Sequence, residues 1–142
     1  MDELHYLLMK ANALMMRRII GEAGRNGLTS GQPKVLEFLS TAGEADQKTI
    51  AAYCEIEQAT VGSILTRMEK DGLIIRRQHQ GNRRSLFVSL TEKGQEAAKI
   101  TMEIFRRADH AASSELSEHE LEILKKALSK IAISLTTEKK DR

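Results

Sequence analysis

Apolar residues recur along most of the chain at intervals of three and four positions, which is the spacing of one face of an α-helix. The first such stretch covers residues 3–20, and the glycine-punctuated segment 21–27 is predicted to end it. The spacing therefore predicts a long amphipathic first helix. Its apolar positions are Leu4, Leu7, Leu8, Ala11, Leu14, Met15 and Ile19.

Two shorter amphipathic segments follow the first helix. Thr29 or Ser30 can cap a second helix, and Pro33 lies in its first turn, where the missing N–H costs nothing. Residues 41–46 are predicted to form a turn, and Asp46 can cap a short third helix. The buried positions predicted for these two helices are Val35, Leu36, Leu39, Ile50, Ala51 and Cys54.

A fourth helix is predicted over residues 57–72, and it separates two kinds of side chain. The pair Asp71-Gly72 is typical of a helix end, because glycine adopts the left-handed conformation without strain. The apolar side carries Val61, Ile64, Leu65 and Met68. The opposite side carries small, polar and basic residues, namely Gln58, Ala59, Thr60, Gly62, Ser63, Thr66, Arg67 and Lys70.

A β-hairpin is predicted directly after the fourth helix. The two β-prone runs 73–78 and 85–90 flank a bend at Gly81-Asn82. No other part of the sequence favours strands, so the predicted fold class is mainly α with one small β-hairpin.

Capping signals mark two further helices. Thr91 can cap a fifth helix that runs to about Ser113, and Ser117 with Glu120 forms a capping box at the start of a sixth. The sixth helix has a heptad rhythm of apolar residues, typical of helices that pack against other helices. These residues are Leu121, Leu124, Leu128, Ile131 and Leu135.

The composition is typical of a helix-rich protein in a reducing compartment. Aromatic residues make up only 4% of the 142 residues, and there is no Trp. No apolar run approaches the ~18 residues of a membrane span, and the first residues lack the basic and apolar regions of a signal peptide. The single cysteine, Cys54, excludes an internal disulfide. We therefore expect a cytoplasmic protein that does not associate with membranes.

The chain has a net charge of +2, and its excess of basic over acidic residues lies in one segment. Residues 67–84 contain six basic and two acidic side chains, a local charge of +4. Within it, Arg83 and Arg84 are adjacent just past the predicted bend, where like charges repel each other. Such a cluster is either a solvated charged face or the edge that binds a polyanion.

The order of the elements favours the polyanion interpretation. The second, third and fourth helices, followed by a basic hairpin, are in the order of a winged helix-turn-helix. Small side chains at the leading end of the fourth helix would let its backbone approach base edges in the major groove, although Gly62 can also reflect close packing against a neighbouring helix. The predicted DNA-binding residues are Gln58, Ala59, Thr60, Ser63, Arg67, Lys70, Arg76, Arg83 and Arg84.

The stretch from Leu28 to Gly94 resembles the MarR family of bacterial transcription regulators. The similarity lies in the segments LTSGQPKVLEFL, TIAAYCEIEQATVGSILTRMEKDGLIIRR and NRRSLFVSLTEKG. Arg84 matches the arginine of the family's wing signature, and Leu90, Thr91 and Gly94 match its end. The resemblance extends in order and length to the flanking helices, so it covers nearly the whole chain.

Two positions depart from the family pattern. Asn82 stands in place of an aspartate that helps to hold the wing by pairing with a basic side chain. Glu57 stands where a serine or a similar cap commonly opens the recognition helix. A carboxylate at that position suits the helix dipole but not a nearby phosphate.

The resemblance implies a homodimer in which the first and last helices interleave. It divides a single domain, residues 1–142, into dimerisation helices at 1–22 and 112–142, a DNA-binding lobe at 28–91 and a connecting helix at 92–112. Exposed apolar stripes of this size usually mark an interface, and a two-fold dimer would read an inverted repeat. The predicted dimerisation residues are Leu4, Leu7, Leu8, Leu121, Leu124, Leu128, Ile131 and Leu135.

The predicted function is a transcription regulator that binds double-stranded DNA, with a repressor role. The resemblance also implies a small-molecule effector, of unknown identity, in a cleft between the dimer base and the DNA-binding lobe. The alternative is a winged-helix module that binds proteins and not DNA.

No set of residues predicts an enzyme, and we predict no catalytic, cofactor-binding or metal-binding residue. Cys54 is on a predicted core face. A packing role is favoured there over a role as a redox sensor, because reactive thiols need to be exposed. His110, Glu118 and His119 fit no recognised metal-site spacing. His79 is predicted to be a surface group.

Overall fold

The computed structural model describes the backbone of residues 3–79 and 81–140, and the side chains of all of these except 82–85 and 138–140. The chain divides into two compact units, one up to Ala108 and one from Asp109 onward. The elements are α1 (Leu4–Arg25), α2 (Gln32–Ala42), β1 (Glu44–Asp46), α3 (Gln47–Cys54), α4 (Gln58–Lys70), β2 (Ile74–His79), β3 (Asn82–Leu90), α5 (Glu92–Ala112) and α6 (Glu118–Lys140). The mainly helical fold class with a small β wing is confirmed.

The first helix is longer than its glycines suggested. Ile19 and Ala23 are buried in the core, and their packing carries α1 past Gly21 to Arg25. The helix closes where the Leu28 N–H donates to the Ala23 carbonyl (2.9 Å), next to Gly27 at φ +78°. The prediction that residues 21–27 end the helix was therefore wrong for residues 21–25, which are helical.

The second helix begins later than predicted. Gly31 is its N-cap, in place of Thr29 or Ser30, and Pro33 lies in the first turn as expected. An added side chain at Gly31 would collide with Ile64, so α2 begins in close contact with α4. The start of α2 therefore lacks a hydroxyl cap and packs against Ile64 of α4 instead.

The sheet has three strands, in the order β1-β3-β2, where the sequence predicted a two-stranded hairpin. Residues 44–46, predicted as a turn, form β1 and pair antiparallel with β3, so that buried Ala45 lies opposite Val88. The hairpin itself is confirmed, with His79 opposite Asn82 at its end. Three residues are too few for an alternation of apolar and polar positions to be recognised.

The core of the first unit lies where α2, α3 and α4 meet the sheet. The side chains that are at most 1% exposed there include Val35, Leu36, Leu39, Ile50, Val61, Leu65, Met68, Ile74 and Val88. Each large apolar side chain buried in this way stabilises the fold by roughly 1.5–3 kcal/mol relative to an exposed one. This core fixes the orientation of α4 and therefore which of its sides faces solvent.

The caps predicted for α5 and α6 are confirmed. The Thr91 Oγ1 accepts from the Gly94 N–H (3.0 Å) at the start of α5. At the start of α6, the Ser117 Oγ accepts from the Glu120 N–H (3.1 Å) and the Glu120 carboxylate accepts from the Ser117 N–H (3.0 Å). Within the described ranges, no helix combines the length and the apolar character needed to cross a membrane.

Candidate nucleic-acid interface

The helix-turn-helix is built by α3, a short turn and α4. Asp46 caps α3 by accepting from the Thr49 N–H (2.9 Å), as predicted. Hydrogen bonds from the side chain and the backbone of Thr49 hold the pKa of the Asp46 carboxyl below its ordinary value. Glu55 ends α3 in the left-handed conformation at φ 55°, and half-buried Ile56 anchors the turn before α4 begins.

The two sides of α4 differ completely in their environment. Val61, Leu65 and Met68 are fully buried against the core. The opposite side is open to solvent over a length of about 18 Å, given a rise of ~1.5 Å per residue. The six predicted DNA-binding residues of α4 are all exposed there, namely Gln58, Ala59, Thr60, Ser63, Arg67 and Lys70.

The structure supports the packing interpretation of Gly62. A Cβ built at Gly62 would lie 3.1 Å from the Nε2 of Gln47, in α3. That Nε2 donates to the Gln58 carbonyl (2.9 Å) in the first turn of α4. A larger residue at position 62 would push Gln47 away, so this glycine preserves the contact that orients the leading end of α4.

The basic residues of α4 lie at its trailing end. The Arg67 Nε lies 3.8 Å from the Asp71 carboxylate, in an exposed pair of the kind that contributes little to stability. Lys70 is exposed and has no ion-pair partner among the described residues. Both cations are therefore available to an external anion.

Arg76, in β2, is held against α4. Its Nη2 donates to the Thr66 Oγ1 (3.0 Å), and its Nε lies 3.8 Å from the Glu69 carboxylate, too far for a hydrogen bond. The side chain is only 16% exposed, and its Nε is buried without a hydrogen-bond partner. This predicted DNA-binding residue therefore fastens the wing to α4, a contact that the sequence analysis missed.

The wing, residues 74–90, is also fastened to β1. The His79 Nε2 lies 2.7 Å from the Glu44 carboxylate, and the His79 ring stacks on Phe87 with 3.9 Å between centroids. His79 is exposed, as predicted for a surface group, and its contacts with Glu44 and Phe87 are a second feature that the sequence did not indicate. Arg83 and Arg84 lie in β3, but their side chains, like that of Asn82, are outside the described part of the structure.

The end of the wing signature joins β3 to the end of α4. The Thr91 hydroxyl donates to the Gly72 carbonyl (2.6 Å), and the Lys93 Nζ donates to the Asp71 carbonyl (2.7 Å). Gly94 faces the Leu73 carbonyl so closely that no side chain fits at this position. These contacts give a structural reason for the threonine and glycine of the signature.

The predicted dimerisation residues divide between the two units. In the first unit, Leu4, Leu7 and Leu8 are exposed on α1. In the second unit, the exposed residues of α6 are Leu124, Leu128 and Leu135, whereas Leu121 and Ile131 are half-buried. Both helices therefore present apolar side chains to solvent in the single chain.

The remaining candidates are placed as follows. Cys54 is buried, and burial raises the pKa of its thiol, which disfavours the reactive thiolate. Within the described residues, no three His, Cys, Asp or Glu side chains gather where they could hold a metal ion.

A groove of about 740 Å³ lies between α2 and α5, with Leu39, Leu90 and Met102 among its apolar lining and Lys99 and Arg106 among its charged lining.

Comparison with known proteins identifies the family. Residues 28–86 match the family model of the MarR family. The chain is 32% identical over 105 residues to the HTH-type transcriptional regulator MgrA of Staphylococcus aureus, which covers 73% of this chain and 69% of that protein. It is also 32% identical over 94 residues to the homoprotocatechuate degradative operon repressor of Escherichia coli, which covers 66% of this chain. The aligned part spans 64% of that repressor's length.

The fold comparison agrees. A Listeria monocytogenes chain in complex with a 26mer DNA has a TM-score of 0.91 to this chain, with 21% identity. The match covers 97% of this chain and 92% of that one. At this level of identity, the similarity establishes the shared fold.

Proposed function

Because the chain belongs to the MarR family, we propose that it is a sequence-specific transcription regulator that binds double-stranded DNA. The observation that carries this proposal is the open side of α4, which is small and polar at its leading end and cationic at its trailing end. The proposal is supported by the Listeria chain of the same fold, which is in complex with DNA, and by the regulator names of the relatives.

The proposed binding mode places α4 in the major groove, which is about 12 Å wide and admits one helix. Gln58, Thr60 and Ser63 would face base edges, because the residues between them are too small to hold the helix away from the groove. Arg67 and Lys70 would contact phosphates. The adjacent Arg83 and Arg84 would enter the neighbouring minor groove, where negative potential is concentrated.

Arg76 has a different place in this proposal. Its guanidinium is already bound to Thr66 and lies close to Glu69, so its main contribution is to set the position of the wing relative to α4. Because Arg76 and Glu69 form an ion pair, the cations of this segment that remain available to an external anion are its other basic residues.

The proposed active form is a homodimer on an inverted-repeat operator. Residues 1–22 and 112–142 would form the dimerisation helices, 28–91 the DNA-binding lobe and 92–112 the connection between them. The exposed leucines of α1 and of α6 support this division, since a second copy would cover them. Two copies of α4 about one DNA turn apart would then contact two half-sites.

The proposed regulator is a repressor that responds to a small ligand. The name of the Escherichia coli relative supports the repressor role. The groove between α2 and α5 supports ligand binding, because its volume lies in the range of about 300–1,000 Å³ that is usual for small-molecule sites. A ligand would release DNA only if its affinity differed between the DNA-bound and free arrangements.

The test is a fluorescence-anisotropy titration of the purified chain with duplex DNA from upstream of its own gene, at several salt concentrations. We expect Arg84→Ala to weaken binding and to reduce the slope of log K against log salt by about 0.9, the contribution of one neutralised phosphate. Addition of phenolic acids, drugs or metal ions to the preformed complex then screens for the ligand class that releases the DNA.

Arg106→Ala is the matched control, because Arg106 is an exposed arginine on α5, outside the 67–84 segment. It should leave both the affinity and the salt slope unchanged. A chain whose DNA affinity is unaffected by Arg84→Ala, and which co-purifies with a protein partner, would instead be the protein-interaction module.

A further inference from the structure

Glu57 is a carboxylate without a partner at the entrance to α4. It occupies the N-cap position with an extended backbone (φ −64°, ψ 146°), yet its side chain accepts no hydrogen bond from the first turn. The residues that usually accept such a bond at the N-cap are the shorter Ser, Thr, Asp and Asn. Glu57 is exposed, and no ion pair involves it among the described residues. Its oxygens are therefore free to accept hydrogen bonds from another molecule.

The charges along α4 are polarised. Glu57 lies ten residues before Arg67, or about 15 Å along the helix axis at ~1.5 Å per residue. No charged residue lies between Glu57 and Arg67. The trailing end of α4 therefore attracts a phosphate, whereas the Glu57 carboxylate at the leading end disfavours a phosphate and favours a hydrogen-bond donor beside it.

We propose that Glu57 reads a cytosine in each half-site by accepting a hydrogen bond from the cytosine N4 amino group. This inference rests on the proposed DNA binding and adds a specificity-determining residue to it. In the major groove only cytosine and adenine present amino donors, whereas guanine and thymine present acceptors that repel a carboxylate. Adenine also presents its N7 acceptor beside the amino group, so cytosine is the better match.

The inference also explains the departure from a serine or similar cap at this position. A hydroxyl both donates and accepts, so it discriminates weakly between bases. A carboxylate only accepts, and it additionally disfavours any register of the helix that brings a phosphate to its N-terminus. Glu57 therefore lowers the affinity for DNA of any sequence and increases the preference for sites with the matching base.

The experiment is a selection of binding sites from a library of random duplexes, performed with the full chain and with Glu57→Gln. The wild-type chain should prefer cytosine at one position of each half-site by about tenfold, equivalent to ~1.4 kcal/mol. Glu57→Gln should move the preference at that position to adenine, because a glutamine amide pairs with both N6 and N7 of adenine. The remaining positions of the site should not change.

Glu55→Gln is the matched control, since Glu55 is an exposed carboxylate two residues earlier and its loss changes the net charge equally. It should keep the cytosine preference. The inference is overturned if cytosine remains preferred in Glu57→Gln, or if both variants lose the preference to the same extent. If the wild-type chain selects no duplex at all, the proposed function fails and the reading of cytosine fails with it.

Discussion

Helices α4 and α6 carry similar apolar periodicities but have opposite environments. In α4, Val61, Leu65 and Met68 are completely buried by other elements of the first unit. In α6, Leu124, Leu128 and Leu135 remain 43%, 40% and 62% exposed. The period of an apolar stripe thus predicts that a helix needs a packing partner, but it does not tell whether the partner belongs to the same chain.

The two helices also differ in how they begin. α6 starts with the reciprocal Ser117–Glu120 capping box, whereas the N-cap of α4, Glu57, makes no side-chain hydrogen bond. Packing against the core and the hydrogen bond from Gln47 to the Gln58 carbonyl therefore hold α4, and the Glu57 carboxylate is left free for another molecule. Local hydrogen bonds support α6, which has little packing of its own within the described part of the second unit.

The largest expected effect is on the packing of α4. Leu65→Ala should lower the free energy of unfolding by about 3 kcal/mol, because it leaves a cavity in a fully packed core. Urea denaturation followed by circular dichroism measures this change. The loss should be the same at all protein concentrations, since the contacts of Leu65 lie within one chain. A loss below about 1 kcal/mol would contradict the packing described for α4.

A smaller effect is expected at α6, and it should depend on protein concentration. Leu128→Asp would place a charge in the proposed interface of each copy and should raise the dimer dissociation constant about 30-fold, or ~2 kcal/mol. Sedimentation over a concentration series measures the change. Ile133→Asp is the control, because Ile133 is 66% exposed and lies off the heptad stripe. Equal effects of the two variants would exclude the stripe as the interface.

Local signals in the sequence were sufficient to predict much of the lobe. Asp46, Thr91 and Ser117 were each predicted as caps, and each makes its cap hydrogen bond in the structure. A cap involves residues only three positions apart, so the pattern is complete within a short window. The buried stripe of α4 was predicted for the same reason, and with it the residues of its open side.

Contacts between distant residues could not be predicted in the same way. Arg76 and Thr66 are joined across ten positions, and Glu22 binds Arg107 across 85 positions (2.9 Å). An arginine in a basic segment has the same sequence signature whether it faces solvent or a neighbouring helix. The sequence therefore listed Arg76 with the DNA-binding residues, whereas the fold turns it inward against Thr66 and Glu69.

The smallest expected effect concerns the cap of α3, which tests how far local hydrogen bonds support the lobe beyond its packing. Asp46→Ala should lower the free energy of unfolding by ~1 kcal/mol at neutral pH, since the Thr49 N–H loses its acceptor. The folded-state pKa of Asp46 is lowered from its ordinary value of 3.8. The stabilisation is therefore complete above that ordinary value and is lost as the pH falls through the folded-state pKa.

Asp46→Asn isolates the titration, because an asparagine side chain also caps a helix but carries no ionisable group. At neutral pH this variant should unfold at nearly the same urea concentration as the wild type, and in acid it should become the more stable of the two. If Asp46→Ala and the wild type differed by the same amount at pH 7 and at pH 2.5, the carboxylate would not be acting as the cap. The contribution of Asp46 to the stability of α3 would then not depend on its negative charge.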